Sequence, residues 1–371
     1  MLVLGPVSDM SRTTDRRGGR SDAPRVVVVD DSPFMRGLIG DLLTDAGVAV
    51  VGEAGDGAEA LSVVAETRPD VVTMDVEMPG MGGIEAVGRL MAETPTPVLM
   101  LSAHTAEGAD VTFEALERGA VDFFAKPGGE VSTGVSREAD RLVEAVRSVA
   151  DADLEAATRD RRPRSAPTTG SASDVDLAEP LTAVVGASTG GPKAVERVLS
   201  ALPMTDCRVL VVQHMPEAFT PRFAERLDSA SAYDVREATD GDRIGAGEAL
   251  VAPGGSHMRV GSYRAGRLRV KLVDEDAVGG DAPSVTPSVD VTMRSAAETV
   301  SDPLVGVILT GMGDDGSVGI RAMAEAGART VAQSEDTCVV YGMPKRAVGT
   351  GAVDSVCDLD DVAGAILGGA A

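Results

Sequence analysis

The chain has 371 residues, enough for two or three domains that each own a hydrophobic core. Hydrophobic residues make up 43% and aromatics 2%, with no tryptophan, which argues against a disordered chain and favours aliphatic packing of layered strands and helices. Acidic side chains outnumber basic ones 58 to 34, a formal charge of -24 that opposes a phosphate-tracking surface, predicts no nucleic-acid partner, and suits a high-salt cytoplasm.

Cys207, Cys338 and Cys357 lack the paired short spacings of a zinc site or disulfide scaffold, so they read as core residues of a reducing compartment. No charged leader precedes a signal-length apolar run, and the aliphatic runs are strand-sized. A soluble, cytoplasmic protein without membrane insertion is expected.

Residues 1–24 mix Gly, Ser, Arg and Asp without periodicity and read as a flexible extension. Order begins at Val26-Val27-Val28-Val29, an aliphatic run suited to a buried parallel strand. Further strands are predicted near residues 48–54, 71–74, 98–101 and 121–124, alternating with helices near 35–46, 58–66, 83–91, 109–118 and 136–150. The result is a five-stranded parallel α/β domain over 25–150. Residues 151–179 include RDRRPRSAPTTGSASD, which cannot form an apolar stripe and reads as a linker. A second, doubly wound, Rossmann-like α/β domain is predicted over 180–371. Its strand candidates are 181–185, 209–212, 248–251, 305–309 and 329–332, with a small antiparallel excursion within 254–273.

Asp30 and Asp31 follow the first strand and Asp75 follows the third, so their carboxylates can converge on one edge of a parallel sheet. Such a cluster needs a hard cation or a proton to compensate it, and Mg2+ with its oxygen-rich shell fits. Asp75 would accept a phosphoryl group. Ser102 and Lys126, after the next two strands, would contact its oxygens, with Pro127 restraining the backbone. A lone Asp pair is an ordinary solvated turn, but five suitable residues at four strand ends are not.

The ordered segments VVDDSPFMR, MDVEMPGMGG, LSAHT and VDFFAKP resemble the response-regulator receiver family over about residues 24–148. The resemblance implies Asp75 as phosphoacceptor and Asp30 and Asp31 as acidic residues of the magnesium site. It further implies Glu77 as a backbone-carbonyl ligand, and Ser102 and Lys126 as phosphate contacts. Phe123 falls at that family's aromatic switch position, where it serves either as the switch or as ordinary core.

In the second domain, an aliphatic strand runs into Gly186-Ala187-Ser188-Thr189-Gly190, a loose G-x-S-x-G turn that can expose a serine hydroxyl, and Pro192 suits a first helical turn. A helix cap or phosphate turn would use similar residues, but Pro192-Lys193 breaks the P-loop pattern. His214 follows the 209–212 strand, and LTGMGDDG supplies Asp314 and Asp315 after the 305–309 strand. His214 would withdraw the Ser188 proton, an Asp would orient the imidazole, and N–H groups of the glycine-rich turns, Met312 included, would stabilise an oxyanion. No metal or cofactor is needed for ester hydrolysis. His257 in APGGSHMRV is a competing base, His104 belongs to the first site, and spacing leaves Asp314 and Asp315 open.

The run GASTGGP, VVQHMP, APGGSHM, TPSVD, LTGMGDDG and CVVYGMP resembles the catalytic domain of chemotaxis protein-glutamate methylesterases over about residues 180–367. That resemblance implies Ser188 as nucleophile, His214 as base and Asp315 as acid, with Thr189 and Met312 in supporting or oxyanion roles. It implies methylated chemoreceptors as substrates, methanol as product, glutamine deamidation as a second activity, and a chemotaxis histidine kinase as phosphodonor. The unphosphorylated receiver is expected to obstruct the Ser188 crevice; phosphorylation acting on receptor docking alone is the alternative.

Overall fold

The computed structural model describes residues 23–102, 106–126, 135–154, 156, 179–274 and 285–368. Nearly all of the predicted extension, most of the predicted linker, His104 and Pro127 lie outside the described residues.

The valine run forms β1 (Arg25–Val29), whose four valines are fully buried, as expected of a strand covered on both faces. In chain order it is followed by α1 (Pro33–Asp45), β2 (Ala49–Ala54), α2 (Gly57–Thr67), β3 (Val71–Asp75) and α3 (Gly83–Glu93). The unit closes with β4 (Val98–Ser102), α4 (Ala106–Arg118), β5 (Asp122–Ala125) and α5 (Val135–Ala150). All neighbouring strands are parallel in the order β2-β1-β3-β4-β5. Strand order reverses between β1 and β3, so a crevice opens at their carboxyl ends. Ser32 accepts from the Met35 N–H and Pro33 occupies the first turn, which starts α1 immediately after Asp30 and Asp31.

The second unit runs β6 (Leu181–Ala187), α6 (Gly191–Ala201), β7 (Cys207–Gln213), α7 (Thr220–Ala230), β8 (Asp234–Glu237), β9 (Arg243–Ile244) and β10 (Glu248–Val251). It continues with β11 (His257–Arg264), β12 (Arg267–Val273), α8 (Val289–Thr299), β13 (Leu304–Ile308), α9 (Ser317–Glu325), β14 (Arg329–Gln333), α10 (Met343–Gly349), β15 (Ser355–Cys357) and α11 (Val362–Leu367). Seven parallel strands lie in the order β15-β14-β13-β6-β7-β10-β8, and β11-β12-β9 forms the antiparallel excursion. The edge strands β8 and β15 are additions to the predicted set; each is too short to carry a clear alternation. From β6 the chain winds outward through β7 and β10, then returns to β13 on the other flank of β6. The switch point therefore lies between β6 and β13. There α8 packs so closely that a Cβ on Gly186 would stand 2.4 Å from Val289 Cγ1. All three cysteines are buried and unpaired.

The two units meet through α4, β5 and α5 on one side and the turn after β6 together with α7 on the other. Of the six phenylalanines, four form this contact: Phe113 stacks on Phe223 at 6.1 Å between centroids, and Phe123 lies 4.5 Å from Phe219. Around them, Glu117 pairs with Arg226 at 2.7 Å and Asp110 with Arg222 at 3.3 Å, while the Arg226 guanidinium lies 5.9 Å from the Phe113 ring centre. Exposed pairs of this kind contribute little, so the aromatic cluster carries most of the contact. Inside it, Ser148 Oγ on α5 donates to Thr189 Oγ1 at 3.3 Å, and the Thr189 hydroxyl donates on to Asp122.

Burial pushes the Asp122 carboxyl up to about 7 from 3.8, against the lowering effect of the Phe123 N–H and Thr189. A raised carboxyl binds its proton more tightly in the native state. Its stabilising contribution is therefore complete below 3.8 and lost as pH rises through about 7, a change on the order of a few kcal/mol. The thermal midpoint of the intact protein is expected to fall between pH 5 and pH 8, and Asp122→Asn to flatten that fall. An equal fall in both proteins would rule Asp122 out as its source.

Candidate functional sites

At the first switch point, Asp30 is fully buried and one oxygen accepts from the Ser32 N–H at 2.9 Å. Its other oxygen and Asp75 Oδ1 each lie 2.8 Å from Lys126 Nζ. One lysine thus bridges carboxylates from two strands. Burial pushes the Asp75 carboxyl up, and nearby Asp30 adds to this, while Lys126 opposes both. Burial pulls Lys126 down, but its bonds to Asp30 and Asp75 outweigh that and raise it. Ligand oxygens of Asp30, Asp31 and Asp75 lie within 4.8 Å of one another. Three hard oxygen donors with a single compensating ammonium suit a divalent cation.

Glu77 has an exposed side chain two residues beyond Asp75. Ser102 is buried at the end of β4, where its hydroxyl donates to the Gly108 carbonyl at 3.3 Å. Phe123 is 8% exposed and packs edge-on against Phe113 as well as on Phe219, so it belongs to the contact between the units.

At the second switch point, β6 and β7 pair Ala187 with Gln213, and Ser188 and His214 follow side by side. The His214 N–H donates to the Ala187 carbonyl at 3.0 Å, and the Ser188 N–H to the Thr310 carbonyl at 3.0 Å. Gln213, buried below, donates to the Ser188 carbonyl at 2.9 Å. The Thr310 hydroxyl donates to the Thr189 carbonyl at 3.0 Å. Gly311 must be small, because a Cβ there would stand 2.7 Å from Ser188 Cβ.

His214 Nε2 lies 2.8 Å from Asp315 Oδ2, while Asp314 is exposed beside it. With Nε2 carrying the shared proton, Nδ1 is left as the basic nitrogen. The Asp315 carboxylate is nearly enclosed. Oδ2 also accepts from the Val289 N–H at 2.7 Å, and Oδ1 accepts from Ser288 Oγ at 2.8 Å and the Asp290 N–H at 3.1 Å. Burial pushes Asp315 up, and its bonds to His214 and to the start of α8 outweigh this, holding it below the ordinary carboxylate range. Asp290 in turn accepts from the Gly319 N–H at 2.6 Å; burial and the Asp315 charge push it up to about 6.

Among the described residues, neither the Ser188 hydroxyl nor the Met312 N–H makes a hydrogen bond. Thr189 is 6% exposed and its hydroxyl faces Ser148 and Asp122 of the first unit. His257 is fully buried, with Nδ1 accepting from the Ser288 N–H at 3.1 Å, and so lies among structural hydrogen bonds away from solvent. Ser288 and Asp290 are absent from the sequence-derived set. Their signal was the TPSVD segment, which shows a helix cap but not which carboxylate the helix would face.

A family model described as a response regulator receiver domain matches residues 26–132, and one described as CheB methylesterase matches residues 183–366. The protein-glutamate methylesterase/protein-glutamine glutaminase of Haloarcula marismortui is 58% identical over 366 residues, covering 94% of this chain and 98% of that protein. The protein of the same description from Natronomonas pharaonis is 54% identical over 345 residues, covering 92% and 96% of the two chains. Its counterpart from Archaeoglobus fulgidus is 41% identical over 344 residues, covering 92% and 97%. With identity this high along nearly its whole length, the chain belongs to the protein-glutamate methylesterase/protein-glutamine glutaminase family, a receiver domain followed by a CheB methylesterase domain.

Proposed function

We propose that Ser188, His214 and Asp315 are the triad of a protein-glutamate methylesterase acting on methylated glutamates in the cytoplasmic region of chemoreceptors. The contact of 2.8 Å between His214 and Asp315, beside Ser188 at the β6–β13 switch point, carries this reading. His214 Nδ1 takes the Ser188 proton as Oγ bonds to the ester carbonyl carbon. Asp315 steadies the imidazolium, and the Met312 N–H is available to the oxyanion. Collapse breaks the carbon–methoxy bond, and the leaving oxygen takes the imidazolium proton to give methanol. Water, deprotonated by His214, then cleaves the acyl-serine to leave glutamate and restore the Ser188 hydroxyl. A receptor glutamine reacts at the corresponding carbonyl, with ammonia as the leaving group.

In the receiver, Asp75 accepts a phosphoryl group from the phosphohistidine of a chemotaxis kinase. Asp30, Asp31, Asp75 and the Glu77 carbonyl would hold Mg2+, which supplies charge compensation when bound. Lys126 and Ser102 would then turn to the phosphoryl oxygens. Ser102 ends β4, just before α4, and Lys126 directly follows β5; α4 and β5 are among the elements packed on the esterase. Phe123, three residues before Lys126, lies against Phe219 and acts as the switch. Docking of α4, β5 and α5 against the Ser188 turn obstructs a receptor helix, and phosphorylation releases that contact. The functional units are residues 25–150 and 180–371, joined by 151–179. No described helix is long and apolar enough to cross a membrane, in keeping with work in the cytoplasm.

Ser188→Ala is expected to lower methanol release from methylated receptor by more than about a thousandfold, and near-parental turnover would reject the serine mechanism. Asp75→Asn should abolish label incorporation from a small phosphodonor at that site; undiminished incorporation would remove Asp75 as acceptor. Residues 180–371 alone should turn over faster than the unphosphorylated intact chain, whereas equal turnover and substrate affinity would contradict obstruction by the receiver.

A further inference from the structure

The TPSVD segment has no task in the triad, yet it surrounds the triad's acid. Ser288 is fully buried and caps α8, its hydroxyl accepting from the Val291 N–H at 3.4 Å. The same hydroxyl donates to Asp315 Oδ1 at 2.8 Å. The Ser288 backbone is held in turn, since its N–H donates to Nδ1 of buried His257 at 3.1 Å. His257 opens β11, so the antiparallel excursion, through this imidazole, fixes where the α8 cap stands.

A carboxylate can rotate about its Cβ–Cγ bond, and its use as an orienting acid requires that one oxygen stay aimed at the imidazole. Asp315 Oδ2 meets His214 and also accepts from the Val289 N–H at 2.7 Å, and the donors on Oδ1 hold the other end of the carboxylate in that aim. Only two bonds reach Oδ1 among the described residues: the Ser288 hydroxyl at 2.8 Å and the longer Asp290 N–H at 3.1 Å. Ser288 is the side-chain donor of the pair and the shorter contact. We infer that Ser288, fixed by His257, is a positioning residue for ester hydrolysis: its hydroxyl locks the Asp315 carboxylate with Oδ2 facing His214. This rests on the reading of Asp315 as the acid of the triad. A serine serving only as a helix cap would add to stability without touching the chemistry.

The test uses the intact chain, with methanol release from carboxyl-methylated receptor as readout and the thermal midpoint measured alongside. Ser288→Ala is expected to lower kcat about tenfold with KM within about twofold, the scale of one hydrogen bond to a charged group. Ser288→Thr keeps the hydroxyl and should restore kcat; it also guards against an alanine variant that fails to fold. An unchanged kcat in Ser288→Ala, or a loss of kcat shared equally by Ser288→Thr, would overturn the positioning role. Asp315→Asn separates the two readings. If it abolishes turnover while Ser288→Ala leaves kcat unmoved, the triad stands and the positioning role is wrong. If it turns over at the parental rate, the triad reading itself has failed and the positioning role falls with it.

Discussion

The carboxylate of Asp315 has to be matched by donors on nearly every side, and much of the second unit is arranged around that demand. An enclosed carboxylate without partners would be driven to bind a proton, and a neutral acid could not steady an imidazolium. Two helix N-termini meet the demand jointly. Asp315 precedes α9 but is bound by Ser288, Val289 and Asp290 at the start of α8, while Asp290 on α8 binds the Gly319 N–H on α9. Each helix therefore lends its positive end to a carboxylate from the other. The exchange needs close approach, and Gly319 permits it, since a Cβ there would stand 2.7 Å from Met293 Cβ. His214 and the Ser188 turn are then registered to this pair of helices through β6, β7 and β13.

The same economy governs the contact between units. A chain with six phenylalanines spends four of them on one surface, while the charged pairs around it stay open to screening by salt. An apolar contact of this kind keeps its strength in concentrated salt. Thr189 lies on the seam. Adjacent to Ser188 in sequence, it turns its hydroxyl towards Ser148 and Asp122 of the first unit. β5 carries Asp122 and Phe123 at this seam and leads into Lys126 at the acidic cluster. One short strand thus spans the distance from the acidic cluster to the turn after β6.

Much of this was legible in the chain. Buried parallel strands announce themselves as continuous aliphatic runs, and Val26–Val29 and Val209–Val212 carry few alternatives. Residues after parallel strands gather at one edge of their sheet, which makes the pair Asp30 and Asp75, and separately the pair Ser188 and His214, legible from the strand pattern. The short edge strands β8 and β15 escaped because a segment of three or four residues holds too little pattern. The pairing of Asp315 rather than Asp314 with His214 followed from the family resemblance; spacing alone left both open.

The sequence by itself determined the two α/β units, the acidic cluster and the chemistry on offer at each strand end, because strand-end position is a local property of the chain. Tertiary structure alone decided which groups share a proton and which surfaces meet. That Ser288 faces Asp315, that His257 supports a helix cap, and that Phe123 lies against Phe219 all depend on packing between segments far apart in sequence. Such contacts are set by helix approach distances and crossover geometry, which no local pattern of residue types encodes.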